Sequence, residues 1–242
     1  MKKVLGALRK AVEEYNLIED GDKIAVGVSG GKDSMVMLYA LKLFQNFGIV
    51  DFDLMGISIS LGFDDFDLSP IKNFCKKHEI PYDITETNIK KIVFDIREEK
   101  NPCSLCANMR RGALHNRIKE LGCNKLALGH HVDDAIETMF MNMFYGGKIS
   151  TFKPKTYLSR KKIHAIRPMI YVKESNIINA AKSANIPIVE SPCPMDKNTT
   201  REDMKELLSH IYSQIPGSKD RIITAMKNEE QFELWFKGNS QK

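Results

Sequence analysis

Hydrophobic and polar positions along the chain follow two periods in turn, and this alternation predicts helices and strands. Apolar residues recur at helical spacing through residues 2–15, and a short apolar strand is predicted at 23–28. Further strands are predicted at 53–61, 82–85 and 125–128, and helices at 35–47, 71–78, 104–121 and 135–145. Strands alternating with helices favour a parallel sheet covered by helices on both faces. The pattern therefore predicts a Rossmann-like α/β fold.

The pattern changes after residue 147, and this change sets the predicted domain organisation. A basic, less periodic stretch comes first, followed by a predicted helix at 173–184 and a proline-rich loop around Cys193. Two more helices are predicted near 203–215 and 221–236. We expect an N-terminal helix at 1–19, a nucleotide-binding α/β domain at 20–190 and a helical C-terminal extension at 191–242.

Composition narrows the class of protein and its compartment. The 242 residues are 43% hydrophobic and 28% charged, which is ordinary for a globular chain. No apolar run approaches the roughly 18 residues that cross a bilayer, and the basic start lacks the apolar core of a signal peptide. The five cysteines are an odd number, which argues against a disulfide framework. We expect a cytoplasmic protein, without a membrane partner, whose reduced thiols can bind metal.

A glycine-rich hexapeptide, SGGKDS, lies between the first predicted strand of the α/β domain and its helix. Two glycines let the backbone turn tightly, and the following helix offers unpaired N–H groups to an anion. The hexapeptide is not a Walker A loop, because Asp33 follows Lys32 where that pattern needs Ser or Thr. The candidate phosphate-binding residues are Ser29, Gly30, Gly31, Lys32, Asp33 and Ser34.

A second polar segment, GHHVDD at 129–134, ends another predicted strand. In an open parallel sheet, ligands bind at the carboxyl ends of the strands, so this segment should face the hexapeptide. Asp133 or Asp134 could hold Mg²⁺, and His130 or His131 could contact an α-phosphate. Capping of the next helix by an aspartate, worth about 1 kcal/mol, is the simpler explanation for one of the two carboxylates.

Three cysteines form a candidate metal site. Cys103 and Cys106 lie at the start of a predicted helix, where a lowered thiol pKa is expected, and Cys193 lies far along the chain. Three thiolates are one too few for a closed zinc site, but they leave one iron of a four-iron cluster open. From spacing alone, a metal site, a redox pair and chance all remain open. Cys75 and Cys123 are expected to be small buried side chains.

Basic residues suggest a nucleic-acid partner. From Lys148 to Lys173 the chain has eight Lys or Arg residues and no Asp or Glu. Such a block can attract phosphates, although a solvated surface loop explains it equally well. The candidate RNA-binding residues are Arg110, Arg111, Lys153, Lys155, Arg160, Lys161 and Lys162.

Together these motifs resemble a known family. SGGKDS matches the PP-loop ATP pyrophosphatases, and the order PCSLC, MRRG, KLALGHHVDD, ETMFMNMFYGGK, Ile166-Arg167-Pro168 and a later Pro-Cys resembles the tRNA 2-thiocytidine synthetase family over about residues 20–215. One departure is that the later motif here holds only one cysteine, where the family often has two.

The resemblance implies an activity, its cofactors and its partners. ATP and Mg²⁺ would adenylate the C2 oxygen of a tRNA cytosine, releasing pyrophosphate, and sulfur would then replace the oxygen. A 4Fe-4S cluster would sit on Cys103, Cys106 and Cys193, which with Lys32 and Asp33 make up the implied catalytic set. The sulfur donor would be a cysteine desulfurase or free sulfide, and a homodimer is compatible with the sequence.

Three alternatives stay open at this point. A tRNA 2-thiouridine synthetase shares the loop and the three cysteines, although many carry additional zinc-binding cysteines that this chain lacks. A PP-loop ligase would join a nitrogen nucleophile to the activated base and would not need the cysteines. A redox-sensing nucleotide-binding protein would bind ATP without turning it over.

Overall fold

Six strands form one sheet in the order β3-β2-β1-β4-β6-β5 in the computed structural model. The structure describes residues 1–63, 66–97, 102–190, 192–193 and 200–228. The strands are β1 (Asp22–Gly27), β2 (Phe52–Ser60), β3 (Tyr82–Glu86), β4 (Lys125–Ala127), β5 (Lys155–Leu158) and β6 (Ile163–Ile166). The helices are α1 (Lys2–Tyr15), α2 (Lys32–Asn46), α3 (Ser69–Lys77), α4 (Pro102–Glu120), α5 (Val132–Gly146), α6 (Glu174–Ser183), α7 (Thr200–Gln214) and α8 (Ser218–Lys227).

The strand order places a crevice between β1 and β4. β1 pairs in parallel with β2 on one side and with β4 on the other, so the direction of chain progression across the sheet reverses there. Ligands of open α/β sheets bind at such a switch point, outside the carboxyl ends of the strands. Both polar segments singled out in the sequence follow these two strands directly.

The core lies between the central strands and the helices that cover them. Ile24, Ala25 and Val26 of β1 are almost fully buried, as parallel strands covered on both faces require. On α2, the run from Met35 to Leu38 is also buried, and this helix contacts both α1 and α6. The predicted α/β fold is therefore confirmed.

The chain divides into two compact units. The first is Met1–Ala135 with Thr151–Asn198, and it contains α1 and the whole sheet. The second is Ile136–Ser150 with Thr199–Lys242. Its own core includes Ile136, Met204 and Leu208, and Arg201 Nη1 lies 3.2 Å from Glu137 Oε2.

Two local structures depart from the sequence-based expectation. The basic stretch contains an antiparallel hairpin, β5–β6, in which Lys155 pairs with Ile166 and Leu158 with Ile163. A π-helical turn, Lys91–Ile96, also occurs where no element was predicted. The last predicted helix, 221–236, corresponds to α8 up to Lys227, and residues 229–236 lie outside the described residues. Within the described chain, every helix is too short or too polar to traverse a bilayer.

Candidate nucleotide and thiol site

The hexapeptide SGGKDS forms a tight loop between β1 and α2. Gly30 has φ +94°, and a Cβ there would lie 2.9 Å from the carbonyl oxygen of Val189, so only glycine fits. The backbone N–H of Val189 donates to the carbonyl of Gly30 at 3.0 Å. The loop is thus fixed directly against residues 188–190, a few positions before Cys193.

Hydrogen bonds of a serine hydroxyl within the loop stabilise its conformation. Ser34 Oγ donates to the carbonyl of Gly31 at 3.0 Å and accepts the N–H of Ser29 at 3.1 Å. Helix α2 begins at Lys32, and among the described residues no side chain caps its N-terminus. The first-turn N–H groups and the positive end of the helix dipole therefore point to a place where an anion can bind.

Lys32 is held by two carboxylates. Its Nζ lies 2.8 Å from Glu174 Oε1 and 3.2 Å from Asp33 Oδ2. Burial lowers the pKa of Lys32, but the hydrogen bond to Glu174 and the charge of Asp33 outweigh it, so the pKa is raised overall. The lysine is therefore a fixed cation beside the loop. Sequence inspection missed Glu174, which is the first acidic residue after the basic block.

Asp33 and His131 form a polar pair beneath the loop, in which His131 is buried and Asp33 is partly exposed. Burial raises the pKa of Asp33, although Lys32 and His131 oppose the shift. Oδ1 of Asp33 is buried and accepts no hydrogen bond from the described residues. Only 2% of His131 is exposed, and its Nε2 lies 3.7 Å from Asp33 Oδ1 and 3.5 Å from Asp134 Oδ2.

Both aspartates of GHHVDD accept backbone hydrogen bonds. Asp133 Oδ2 accepts the N–H of Glu174 at the start of α6, and Asp134 Oδ2 accepts the N–H of His131, each at 2.9 Å. Hydrogen bonding to the backbone therefore accounts for one carboxylate oxygen of each aspartate. Asp134 also lines the larger cavity together with Asp33. Carboxylate oxygens are what Mg²⁺ prefers, so Asp33 and Asp134 fit a magnesium site.

The larger cavity, of about 650 Å³, opens at the carboxyl ends of β1, β4 and β6. It is bordered by Ser29 and Ser34 of the loop, by Arg110 and Arg111 of α4, and by His130. The structure thus separates the two histidines, since His130 faces the cavity and His131 is buried. Arg167, which follows β6 directly, lies beside His130 with its Nε 3.2 Å from His130 Nδ1.

A smaller cavity, of about 370 Å³, lies on the β2 side of the loop. Ser29 and Gly31 form one wall, and Arg110 of α4 forms another. Residues 188–190 and Pro192 form a third wall. The floor is apolar, with Ile59, Leu61, Phe63 and Phe66. Such a surface fits the flat apolar faces of a purine base.

The three candidate metal-binding thiols interact electrostatically. The pKa of Cys106 is raised by burial first and then by the charges of Cys193 and Cys103. The lowered thiol pKa expected at this helix start is therefore wrong for Cys106, because burial and like charges outweigh the helix terminus.

The donor set suits iron, whose sulfur clusters are held by thiolates. Cys103 is exposed, while Cys106 and Cys193 are partly buried. Within the described ranges, no three His, Cys, Asp or Glu side chains already stand at metal-binding separations. Cys75 and Cys123 are buried as expected, and burial raises the pKa of Cys75 to about 11.

The structure divides the basic block among different environments. Lys155 Nζ donates to the carbonyl of Asn16 at 2.6 Å and lies 3.5 Å from Glu19, so it is occupied by contacts around the end of α1. Lys161 Nζ donates to Asn116 of α4 at 3.0 Å, which places the β5–β6 turn beside that helix.

Near the same turn, the pKa of His115 is lowered by burial first and then by the charges of Lys161 and Arg111. Arg160 is exposed in the turn, and Lys162 adopts φ +56° there. Lys153 is exposed, and its carbonyl accepts a hydrogen bond from Arg167. A cationic surface therefore runs from the turn to Arg111 of α4.

Comparisons with known proteins agree on one family. Residues 3–211 match the PP-loop domain. The tRNA-cytidine(32) 2-sulfurtransferase of Aliivibrio fischeri strain MJ11 is 39% identical over 229 residues, which is 94% of this chain and 75% of the relative. The enzyme of the same name from Geobacter metallireducens is 36% identical over 233 residues, 94% of this chain and 90% of the relative.

One solved structure extends the similarity to an iron–sulfur protein. The U34-tRNA thiolase NcsA from Methanococcus maripaludis, determined with its 4Fe-4S cluster, superposes with a TM-score of 0.74. It is 26% identical, and the match covers 93% of this chain and 77% of that one.

Proposed function

The chain belongs to the PP-loop domain family, and from that premise we propose that it is a tRNA sulfurtransferase. It uses ATP to attach AMP to the C2 oxygen of a cytosine, with release of pyrophosphate, and then replaces that oxygen with sulfur as AMP leaves. The choice of cytosine is supported by relatives 35–39% identical that are named tRNA-cytidine(32) 2-sulfurtransferases.

One observation carries the proposal. The smaller cavity is bordered at the same time by the phosphate loop, by Arg110 of the cysteine-bearing helix α4, and by the segment that leads to Cys193. Ser29 and Arg110 also border the larger cavity. A nucleotide bound at the loop would therefore lie next to both thiol-bearing segments. A ligase has no need for this arrangement, and a redox-sensing nucleotide-binding protein would bind ATP without turning it over.

ATP binds with its adenosine in the smaller cavity and its phosphates at the start of α2. The base oxygen attacks the α-phosphorus from the larger cavity, and pyrophosphate leaves toward Lys32 and the N–H groups of the loop. When ATP binds, Lys32 gives up part of its hydrogen bonding to Glu174 and Asp33 and donates to the phosphate oxygens instead. Asp33 and Asp134 would hold Mg²⁺, which would supply further positive charge to the phosphates.

Cys103, Cys106 and Cys193 would hold a 4Fe-4S cluster, which would supply an iron able to carry sulfide. Support comes from Arg110 of α4 and from Pro192, which both border the smaller cavity, because each belongs to a segment that carries candidate thiols.

The RNA reaches this site along the cationic surface formed by α4 and the β5–β6 turn. Arg110, Arg111, Arg160, Lys161 and Lys162 contact phosphates and position the RNA without reading sequence. The target base must be unstacked to reach the cavity, which favours a loop nucleotide. The cytoplasm supplies tRNA and a sulfur donor, either a cysteine desulfurase or free sulfide, and the protein acts there.

Nucleoside analysis of tRNA tests the proposal. A strain lacking the protein should lose 2-thiocytidine, and the parent gene should restore it, whereas the Cys193→Ala and Lys32→Ala variants should not. The structural similarity to a U34-tRNA thiolase makes thiouridine the second candidate product. If the strain keeps 2-thiocytidine and loses a thiouridine, the enzyme class stands and the cytosine assignment is wrong.

The nucleotide products test the activation step separately. Purified protein with total tRNA should form AMP and pyrophosphate, and Lys32→Ala should slow pyrophosphate release by at least about 100-fold because the leaving charge loses its cation. Lys42→Ala is the matched control, since Lys42 lies on the same helix and contacts Gln45. ADP and phosphate as the main products would exclude this chemistry.

A further inference from the structure

Arg167 brings an uncompensated positive charge to the wall of the larger cavity. It is the first residue after β6 and borders the cavity together with Ser29 and Ser34 of the phosphate loop. Among the residues that the structure describes, no carboxylate lies within ion-pairing distance of its guanidinium. Burial accordingly lowers the pKa of Arg167 with no acidic group to offset it.

Neutral groups hold the guanidinium in one orientation. Nε donates to His130 Nδ1 at 3.2 Å, and Nη1 donates to the carbonyl of Lys153 at 2.6 Å. The guanidinium carbon lies 4.8 Å from the centre of the Phe152 ring, which also packs on the His130 ring at 4.9 Å. Nη2 donates to none of the described groups, so its two protons remain for a ligand.

The position of His130 places this guanidinium on the phosphate side of the cavity. A Cβ on Gly129 would lie 3.1 Å from the backbone carbon of Asp33 and from the nitrogen of Ser34. The end of β4 therefore touches the phosphate loop, and His130 is the next residue along the chain. A planar, oriented guanidinium with free donors and no carboxylate partner is suited to a phosphate oxygen.

We propose that Arg167, oriented by His130 and Phe152, is a phosphate-binding residue of the larger cavity. The proposal rests on the proposed function for the identity of the ligand. The bound group is either the α-phosphate of the nucleotide or the RNA phosphodiester next to the target base. These two sources share the same chemistry, and binding measurements separate them.

The experiment compares Arg167→Gln and Arg167→Lys with the parent. AMP binding is measured by calorimetry, and total tRNA binding by fluorescence anisotropy over a range of salt concentrations. Arg167→Gln should weaken one of the two by about 10- to 100-fold, the range expected for one charge-assisted contact. Arg167→Lys should fall between the parent and Arg167→Gln, because lysine keeps the charge without the planar fork.

The pattern of losses identifies the source of the phosphate. Weaker AMP binding with unchanged tRNA binding assigns Arg167 to the α-phosphate. Weaker tRNA binding, with a salt slope reduced by about 0.7–0.9, assigns it to the phosphodiester. Arg9→Gln, an exposed arginine of α1 paired with Glu13, is the matched control and should change neither.

Phe152→Leu is a second variant, which keeps the charge of Arg167 but loosens the orientation of its guanidinium. It should weaken binding of the same ligand by a smaller factor. If Arg167→Gln does not fold, Phe152→Leu and Arg167→Lys still test the proposal. Folded variants that bind AMP and tRNA as tightly as the parent overturn the proposal. A failure of the proposed function looks different, because binding of AMP or of tRNA would still depend on Arg167 in a protein that forms no thionucleoside.

Discussion

At the scale of single residues, Asp33 combines burial with an oxygen that accepts no hydrogen bond from the described chain. Burial raises its pKa, so the folded protein holds the proton more tightly than the unfolded chain does. A carboxyl with a raised pKa costs stability as pH rises above the unfolded value, and that cost persists at neutral pH. The free energy lost in this way is the price of keeping an ionised oxygen ready for a cation.

Asp33→Asn should therefore raise the melting temperature at pH 7 in the presence of a chelator, while abolishing pyrophosphate release. The difference between variant and parent should shrink below about pH 4, where the aspartate is protonated in both states. Thermal unfolding at several pH values, followed by circular dichroism, checks this. A variant that is less stable than the parent at pH 7 would contradict the assignment of burial as the dominant effect.

The loop residues could be predicted from the sequence because they are adjacent in the chain and their chemistry is local. Glu174 and Arg167 could not be assigned in the same way. Their partners, Lys32 and His130, lie far away in sequence, and no periodicity or motif spacing records a contact of that kind. The two histidines of GHHVDD also look alike in sequence, and only tertiary packing buries one and leaves the other at the cavity.

At the scale of elements, the phosphate loop depends on a close backbone approach. Gly30→Ala should destabilise the protein by more than about 1 kcal/mol, because alanine is strained at φ +94° and its Cβ would meet the Val189 carbonyl. Gly6→Ala is the control, since Gly6 lies in α1 with nothing within 4 Å of the added carbon. It should stabilise the helix by about 0.5–1 kcal/mol. Urea unfolding of both variants measures the two effects.

The hairpin β5–β6 supports a prediction about RNA. Replacing Arg160, Lys161 and Lys162 with alanine should weaken tRNA binding and lower its salt slope by up to about 2–3, since three phosphate contacts are removed. ATP affinity should not change. The matched control replaces Lys72, Lys76 and Lys77, three exposed lysines of α3. If the two triple variants bind tRNA alike at every salt concentration, the turn is a solvated loop.

Most helices and strands could be predicted from hydrophobic periodicity, but the β5–β6 hairpin could not. The long helices and the buried central strands have strong patterns, so their predicted bounds lie within a few residues of the observed ones. β5 is a short edge strand in a run rich in lysine, and charged residues on an edge strand obscure the apolar alternation. Its pairing is set by contact with β6, and the hydrophobic pattern of β5 alone gives no information about that contact.

At the scale of the whole molecule, the thiols make a prediction about metal content. Anaerobically purified protein should carry about four irons per chain, and oxygen should bleach its colour, since one iron lacks a protein ligand. Cys103→Ala, Cys106→Ala and Cys193→Ala should each lose iron. Cys75→Ala, at a buried thiol on α3, should keep it. Iron analysis and visible absorbance give the answer, and full iron in Cys193→Ala would remove that residue from the ligand set.

The hydrogen bond between Val189 and Gly30 also bears on the order of events during synthesis. Gly30 leaves the ribosome long before Val189, and their contact closes a loop of about 160 residues, the kind of long-range pairing that forms late in folding. Cys103 and Cys106 are likewise made well before Cys193. A growing chain therefore presents two thiols without the third, and iron insertion should wait until the α/β unit has closed. If these thiols hold a cluster as proposed, its insertion is a post-translational step that follows completed folding.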